Sequence, residues 1–182
     1  MTLKSISAYR KGHTDTVIDF DGTPGPVLDI PSFYKDNQFT QEVQALIQTD
    51  RVQGVVGLFY LDNSASGAFD TVIGNANLTT LTSGKVSTKS YAAFADFSVD
   101  VTDRFSVSVG GRYTSDKREG TVFRADYLGI RSPLFGRPTA VPFRIRTDYT
   151  NERTDKKFTP RLSLSYKPVE DVNLYASWSR GY

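Results

Sequence analysis

The sequence predicts an all-β fold, an antiparallel up-and-down meander that forms a partial transmembrane β-barrel of about seven or eight strands. Three observations predict it. Apolar and polar residues alternate with period two over several stretches of about ten residues. Short turns alternate with long polar connections. Aromatic residues, among them 10 Tyr and 12 Phe, gather near the strand ends.

The first strand falls on residues 3–10, without a clear facing. The second, residues 39–48, sets Phe39, Val43, Ala45 and Ile47 against Thr40, Glu42, Gln44 and Gln48. A turn at Thr49-Asp50-Arg51 leads to residues 52–61, where Gly54 and Gly57 blur the alternation. Residues 90–102 read most clearly. Tyr91, Ala93, Ala95, Phe97, Val99 and Val101 share one face, with Ser90, Asp96, Ser98 and Asp100 on the other. A break at Thr102-Asp103-Arg104 separates them from residues 105–114, whose apolar face carries Phe105, Val107, Val109 and Tyr113. Two strands so tightly joined read as a hairpin. Phe158, Leu162, Leu164 and Tyr166 alternate with Thr159, Arg161, Ser163 and Lys167. Past a turn at residues 167–171, Leu174, Ala176 and Trp178 alternate with Asn173, Tyr175 and Ser177. An eighth strand is placed near residues 13–20.

Residues 11–35, 62–85 and 119–155 read as long connections, and those near Asp50, Asp103 and Glu170 as tight turns. In a meander, alternate connections emerge at opposite ends, so all the long ones share one side. Outer-membrane barrels are built this way. A strand of about 10 residues rises roughly 33 Å and, tilted about 40°, covers roughly 25 Å of height. A soluble β-sandwich also alternates, and periodicity alone does not separate the two. The loop asymmetry, the terminal aromatics and the hydroxyl-rich polar faces favour the membrane. On this reading Phe97, Val99, Val107, Val109, Leu162, Leu164 and Leu174 face lipid. Tyr91, Tyr113, Tyr166 and Trp178, with Tyr182, form interfacial girdles.

Composition narrows the chemistry. The 182 residues suffice for one domain. The chain contains no cysteine, which removes disulfides, thiolate metal sites and cysteine catalysis. No apolar run reaches the length of a membrane-spanning helix, and residues 1–6 lack the apolar region of a signal peptide. His13, the single histidine, is placed in a loop beside Asp15, with no metal-ligand spacing around it. Asp19-Phe20-Asp21-Gly22 lacks the remaining ligands of a calcium loop and reads as a turn. No serine has a credible base partner, so no enzyme activity and no cofactor are expected.

The most suggestive stretch is residues 117–157, with ten basic residues against five acids, net +5 where the rest of the chain is −3. Arg124, Arg131, Arg137, Arg144 and Arg146, with Tyr127 and Tyr149, are the candidate ligand-attracting set. They are expected to draw anions such as ferric siderophores or lipopolysaccharide phosphates toward a pore. A solvated surface loop explains the same charge. Nucleic acid is not expected as a partner, because the basic residues fall on no recognised module.

These motifs carry a resemblance. Tyr91-Ala92-Ala93-Phe94-Ala95-Asp96-Phe97, Asp100-Val101-Thr102-Asp103-Arg104-Phe105-Ser106-Val107 and Gly110-Gly111-Arg112-Tyr113-Thr114 resemble a hairpin of a TonB-dependent receptor barrel. Phe158-Thr159-Pro160-Arg161-Leu162-Ser163-Leu164-Ser165-Tyr166-Lys167-Pro168 and Asn173-Leu174-Tyr175-Ala176-Ser177-Trp178-Ser179-Arg180-Gly181-Tyr182 are similar to later strands of that family, and Phe39-Thr40-Gln41-Glu42 and Gly57-Leu58-Phe59-Tyr60 also fit. The resemblance spans nearly the whole chain and is weakest in the long connections. It implies the bacterial outer membrane, and import of ferric siderophores, sometimes cobalamin or carbohydrate, powered by the TonB complex. It also implies a barrel of about 22 strands around a plug. Residues 1–182 then read as one partial barrel domain, a fragment without plug, TonB-contacting segment, signal peptide or terminal strand. A porin-like or adhesin barrel without energy coupling, and a soluble all-β binding module, are the alternatives.

Overall fold

The computed structural model describes residues 1–181. They form seven strands: β1 (Thr2–Asp19), β2 (Leu28–Gln48), β3 (Val52–Ile73), β4 (Leu78–Thr102), β5 (Phe105–Leu128), β6 (Arg144–Val169) and β7 (Val172–Ser179). All belong to one antiparallel sheet in the order β1-β2-β3-β4-β5-β6-β7, a pure meander. Among the described residues there is no second sheet, so a two-layer sandwich is not what these strands build. Tyr182, expected in the girdle, lies outside the described residues.

The strands are far longer than the periodicity suggested. β1 to β6 run for 18 to 26 residues. The expected long connections at 11–35, 62–85 and 119–155 are mostly strand, and the true connections are residues 20–27, 74–77 and 129–143. The expected eighth strand near 13–20 is the far half of β1, and His13 therefore sits on a strand rather than in a loop. The reason is physical. Ladder hydrogen bonds need only extended backbone, whereas alternation appears only where one face is apolar. Where both faces are polar, pairing continues unannounced. The asymmetry of the connections survives: residues 49–51, 103–104 and 170–171 close the other end.

Pairing register fixes the two faces. Phe97 lies opposite Val109, Val109 opposite Leu162 and Leu162 opposite Trp178. The next row is Val52, Val99, Val107, Leu164 and Ala176. Leu58 joins Val43 and Ala93, and Val43 faces Ser5, so the first strand places Leu3, Ser5 and Tyr9 on this same face. The blurred segment of β3 is now explained. Gly54 pairs with Phe97 and Gly57 with Phe94, and a Cβ on either glycine would strike the partner's ring. Each neighbouring aromatic covers its glycine, one on each face.

The small buried core sits near the long-connection end. Ala68, Leu81, Ala125 and Tyr127 cluster there, packed against Phe33, Phe123, Phe135 and Ala140. Residues 129–143 fold back over the sheet to close this cluster. The Phe135 ring lies 5.7 Å from Phe33.

Candidate functional site: the two faces of the sheet

The apolar face has sharp limits. All seven expected lipid-facing residues share it by register, and Val109, Leu162, Leu164 and Leu174 lie 38% to 57% exposed with no protein over them. Its upper edge, toward the long connections, is a row of rings. Tyr9 pairs with Phe39, Tyr60 with Tyr91, and Tyr113 with Phe158. Centroids of Phe39 and Tyr60 are 6.3 Å apart, and those of Tyr60 and Tyr91 are 5.0 Å apart. At the lower edge Tyr166 pairs with both Phe105 and Leu174. Trp178 lies instead two rows inside, level with Leu162.

The rings do not follow one rung of the ladder. Tyr60 lies opposite Gln41, two residues from Phe39, and Tyr113 lies opposite Ala93, two residues from Tyr91. The row thus slips two residues for every two strands. One residue per strand, with about 3.3 Å of rise and about 4.8 Å between strands, tilts the strands about 35° from the girdle's normal. Membrane barrels tilt by roughly 35–45°. From Tyr91 to Val101 the chain climbs ten residues, and at this tilt that is about 27 Å of height, close to the apolar band of an outer-membrane barrel.

The opposite face is polar, and on β5 and β6 it carries a run of basic residues. Arg112, Arg118 and Arg124 recur every six residues on β5. Lys157 pairs with Thr114, Arg153 with Arg118, and Arg144 with Asp126, all on this face. Four guanidiniums are matched by carboxylates: Arg118 to Asp116 at 3.6 Å, Arg153 to Asp155 at 2.6 Å, Arg146 to Asp126 at 2.7 Å and Arg161 to Asp96 at 2.8 Å. Arg112 lies over two rings, its guanidinium carbon 5.0 Å from the Phe59 centroid and 5.7 Å from that of Phe94. Among the described residues, Arg124 and Arg144 make no salt bridge, and both are exposed.

The candidate ligand-attracting set is therefore not one loop. Arg124 and Tyr127 are on β5, Arg144, Arg146 and Tyr149 on β6, and only Arg131 and Arg137 lie in the connection. Register puts Arg124, Arg144 and Tyr149 on the polar face, and Tyr127 on the other, inside the small core. Arg146 sits at a bulge, where the register slips between Arg124 and Ala125, and its Nε donates to both oxygens of Asp126 at 2.9 and 2.7 Å. Arg137 donates to the Leu128 carbonyl and helps hold the connection. Sequence reading counted Arg118 and Arg153 among the basic residues of 117–157 but left them out of the candidate set. The six-residue spacing of Arg112, Arg118 and Arg124, an even number and so one strand face, was the signal that could have found Arg118.

Two buried carboxylates near this end behave oppositely. Burial works to raise Asp126, but hydrogen bonds from Arg146 and Thr80, with the Arg146 and Arg144 charges, hold it below the usual carboxylate value. Burial raises Asp70, only partly offset by the Ser132 N–H that donates to its Oδ2 at 2.9 Å and by the Arg131 charge. Its Oδ1 and the Ser132 hydroxyl, both buried, have no protein partner among the described residues. The turn at Asp19-Phe20-Asp21-Gly22 brings Asp19, Asp21 and Asp29 together, with carboxylate oxygens within 4.8 Å of one another. Asp19 accepts from the Asp21 and Gly22 N–H groups at 3.1 and 2.8 Å, and Asp21 from Thr23 at 3.0 Å. His13 lies on the exposed surface, with Nε2 2.6 Å from the Asp15 carboxylate and Nδ1 3.2 Å from the Tyr34 carbonyl oxygen, both of them acceptors.

A single antiparallel meander, girdled and apolar on one face and polar on the other, defines part of the wall of a transmembrane β-barrel. The chain belongs to the TonB dependent receptor-like β-barrel family, whose model matches residues 1–182. The fold is similar to that of the ferric yersiniabactin uptake receptor FyuA from Yersinia pestis, with a TM-score of 0.71 and 20% identity. That match covers 95% of this chain and 24% of the receptor chain, so the chain spans about a quarter of the receptor's length. No curated protein matches the sequence.

Proposed function

We propose that this chain supplies part of the wall of a bacterial outer-membrane importer that takes up an anionic, scarce ligand of the ferric siderophore type, with energy from the TonB complex. One observation supports it above the rest. The apolar face is confined to about ten residues per strand and closed by a staggered aromatic row, so lipid meets that face and the basic polar face lines the lumen. Phe97, Val99, Val107, Val109, Leu162, Leu164 and Leu174 then face lipid. Membership of the TonB-dependent receptor barrel family supports energy coupling over a passive porin.

The basic track of β5 and β6 gives the lumen its chemistry. Guanidiniums held by one carboxylate each still present further N–H donors, and two more are unmatched at the outer end. Such a wall raises the local concentration of anions and guides them inward. Rings beside arginines offer stacking for a planar chelating ligand.

The test uses the full-length protein in a siderophore-deficient host. Uptake of labelled ferric siderophore should require both the protein and an intact TonB complex. Replacing Arg124 and Arg144 with Gln should weaken binding at low salt by about tenfold, with the difference shrinking as salt rises. Uptake that persists without the TonB complex would contradict the energised reading. Affinity unchanged at low salt would discard the basic track.

A further inference from the structure

The connection 129–143 joins the two strands of the basic track, yet it folds to the other side of the sheet. Asp70 shares the face of Ala68 and Val72 on β3, opposite the face of Arg124 and Arg144, and Ser132 of the connection sits on it. The two ends of the connection are tied to the strand ends. The Gly129 N–H donates to the Asn77 carbonyl at 2.7 Å, the Thr79 hydroxyl to the Gly129 carbonyl at 2.7 Å, and the Phe143 N–H to the Asp126 carbonyl at 3.0 Å. The middle is pinned differently. Phe135 packs on Phe33 and the small apolar cluster, and the Ser132 N–H donates to Asp70 Oδ2 at 2.9 Å. Gly129 and Gly136 flank this middle stretch in the left-handed region, at φ +101° and +107°.

The polar pin is sealed. Asp70 and Ser132 are both 0% exposed, and Asp70 Oδ1 and the Ser132 hydroxyl are buried without a partner among the described residues. A carboxylate shut away with one oxygen unpaired is costly, whereas a neutral acid has an O–H to give. Its surroundings offer one cation. Leu81 lies opposite Asp70 on β4, between the uncharged Thr79 and Ser83. Tyr127 of β5 is buried beyond them, Asp29 of β2 is level with Val72, and Lys35 and Lys85 are level with Ser66, four residues away along β3. Arg131, beside Ser132 in the connection, brings the opposing charge. Burial outweighs it and raises the Asp70 carboxyl above the ordinary carboxylate value.

We propose that residues 129–143 form an acid-closed strap, docked on this outer face while Asp70 is uncharged and let go when Asp70 ionises. The docking it contributes is complete below the ordinary carboxylate value and is lost as pH rises through the folded value. Docked, the strap leaves Arg124 and Arg144 uncovered; released, it stays tethered at the ends of β5 and β6, beside them. The device is independent of what the barrel imports.

The experiment uses thiol accessibility in the full-length protein in lipid vesicles, since this chain contains no cysteine. Ala68→Cys, 2% exposed beneath the strap, reports opening, and Leu134→Cys, 51% exposed on it, corrects for thiol ionisation. With a dipyridyl disulfide as reagent, the ratio of the two labelling rates should rise severalfold from about pH 4 to about pH 7. Asp70→Asn should flatten the rise. Arg131→Gln, an exposed change, should extend it to higher pH, because the charge that favours the ionised form is gone. His13→Gln should leave it unaltered. A ratio indifferent to pH, a rise that persists in Asp70→Asn, or one abolished by His13→Gln would overturn the strap.

Discussion

Two halves of one strand teach the most about this sheet. On β4, the residues Tyr91, Ala93, Ala95, Phe97, Val99 and Val101 and the residues Thr79, Leu81, Ser83, Lys85, Ser87 and Lys89 point to the same side. Backbone pairing runs through both without a break. The first set is apolar and bare of protein; the second is hydroxyl and lysine, with Leu81 held under the connection 129–143. Extended backbone therefore does not distinguish the halves. What changes is the solvent the side chains are built for, and the change falls at the aromatic row.

The largest expected effect breaks this contrast directly. Val109→Arg or Leu162→Arg, near the middle of the apolar band, should cost about 2–4 kcal/mol in urea unfolding of the full-length barrel in lipid vesicles. Ser64→Arg, on the same face but above the rings, should stay within about 0.5 kcal/mol. Equal costs at the two heights would erase the boundary.

Next in size is a steric test within the band. Gly54→Val forces a side chain into the Phe97 ring and should destabilise by about 1–3 kcal/mol. Adding Phe97→Ala should return part of that loss, a non-additive cycle measured by the same unfolding. The ring row comes third. A Tyr60 and Tyr91 double-mutant cycle to Leu should show about 0.5–1.5 kcal/mol of coupling, from their 5.0 Å contact.

The subtlest test contrasts two carboxylates above the membrane band. Asp70 is raised, so the stability it contributes is complete below the ordinary carboxylate value and is lost as pH rises through its folded value. Asp126 is depressed, so its contribution is complete above the ordinary value and is lost as pH falls through its folded value. Amide protection in residues 129–143 should therefore fall modestly from acid toward neutral pH, and Asp70→Asn should flatten that dependence. Unchanged pH dependence in the variant would remove Asp70 as the cause.

Legibility in the sequence follows the same boundary. Residues 90–102 and 158–167 announced themselves because one side was uniformly greasy. Residues 119–128 and 144–155 did not, because arginine, asparagine and aspartate on one face met glutamate, aspartate and threonine on the other, and no period survived. That is why the basic residues read as a loop rather than as a track on two paired strands. The bulge that turns Arg146 to Asp126 has no sequence mark, since one unpaired residue leaves composition unaltered. Gly54 and Gly57 hid β3 for the opposite reason: their neighbours' rings supply the bulk they lack.

The central claim is that lipid meets one face of the lower half and water meets everything else. The chain has no cysteine, so a spin label can be placed at single engineered cysteines from residue 79 to residue 101 in the full-length protein. In membranes, collision rates with oxygen should be high at 93, 95, 97 and 99, and rates with a water-soluble nickel chelate high at 94, 96 and 98. Above residue 91 toward 83, the oxygen signal at odd positions should vanish. Odd positions 93–99 shielded from both reagents, as in a packed protein core, would contradict the account.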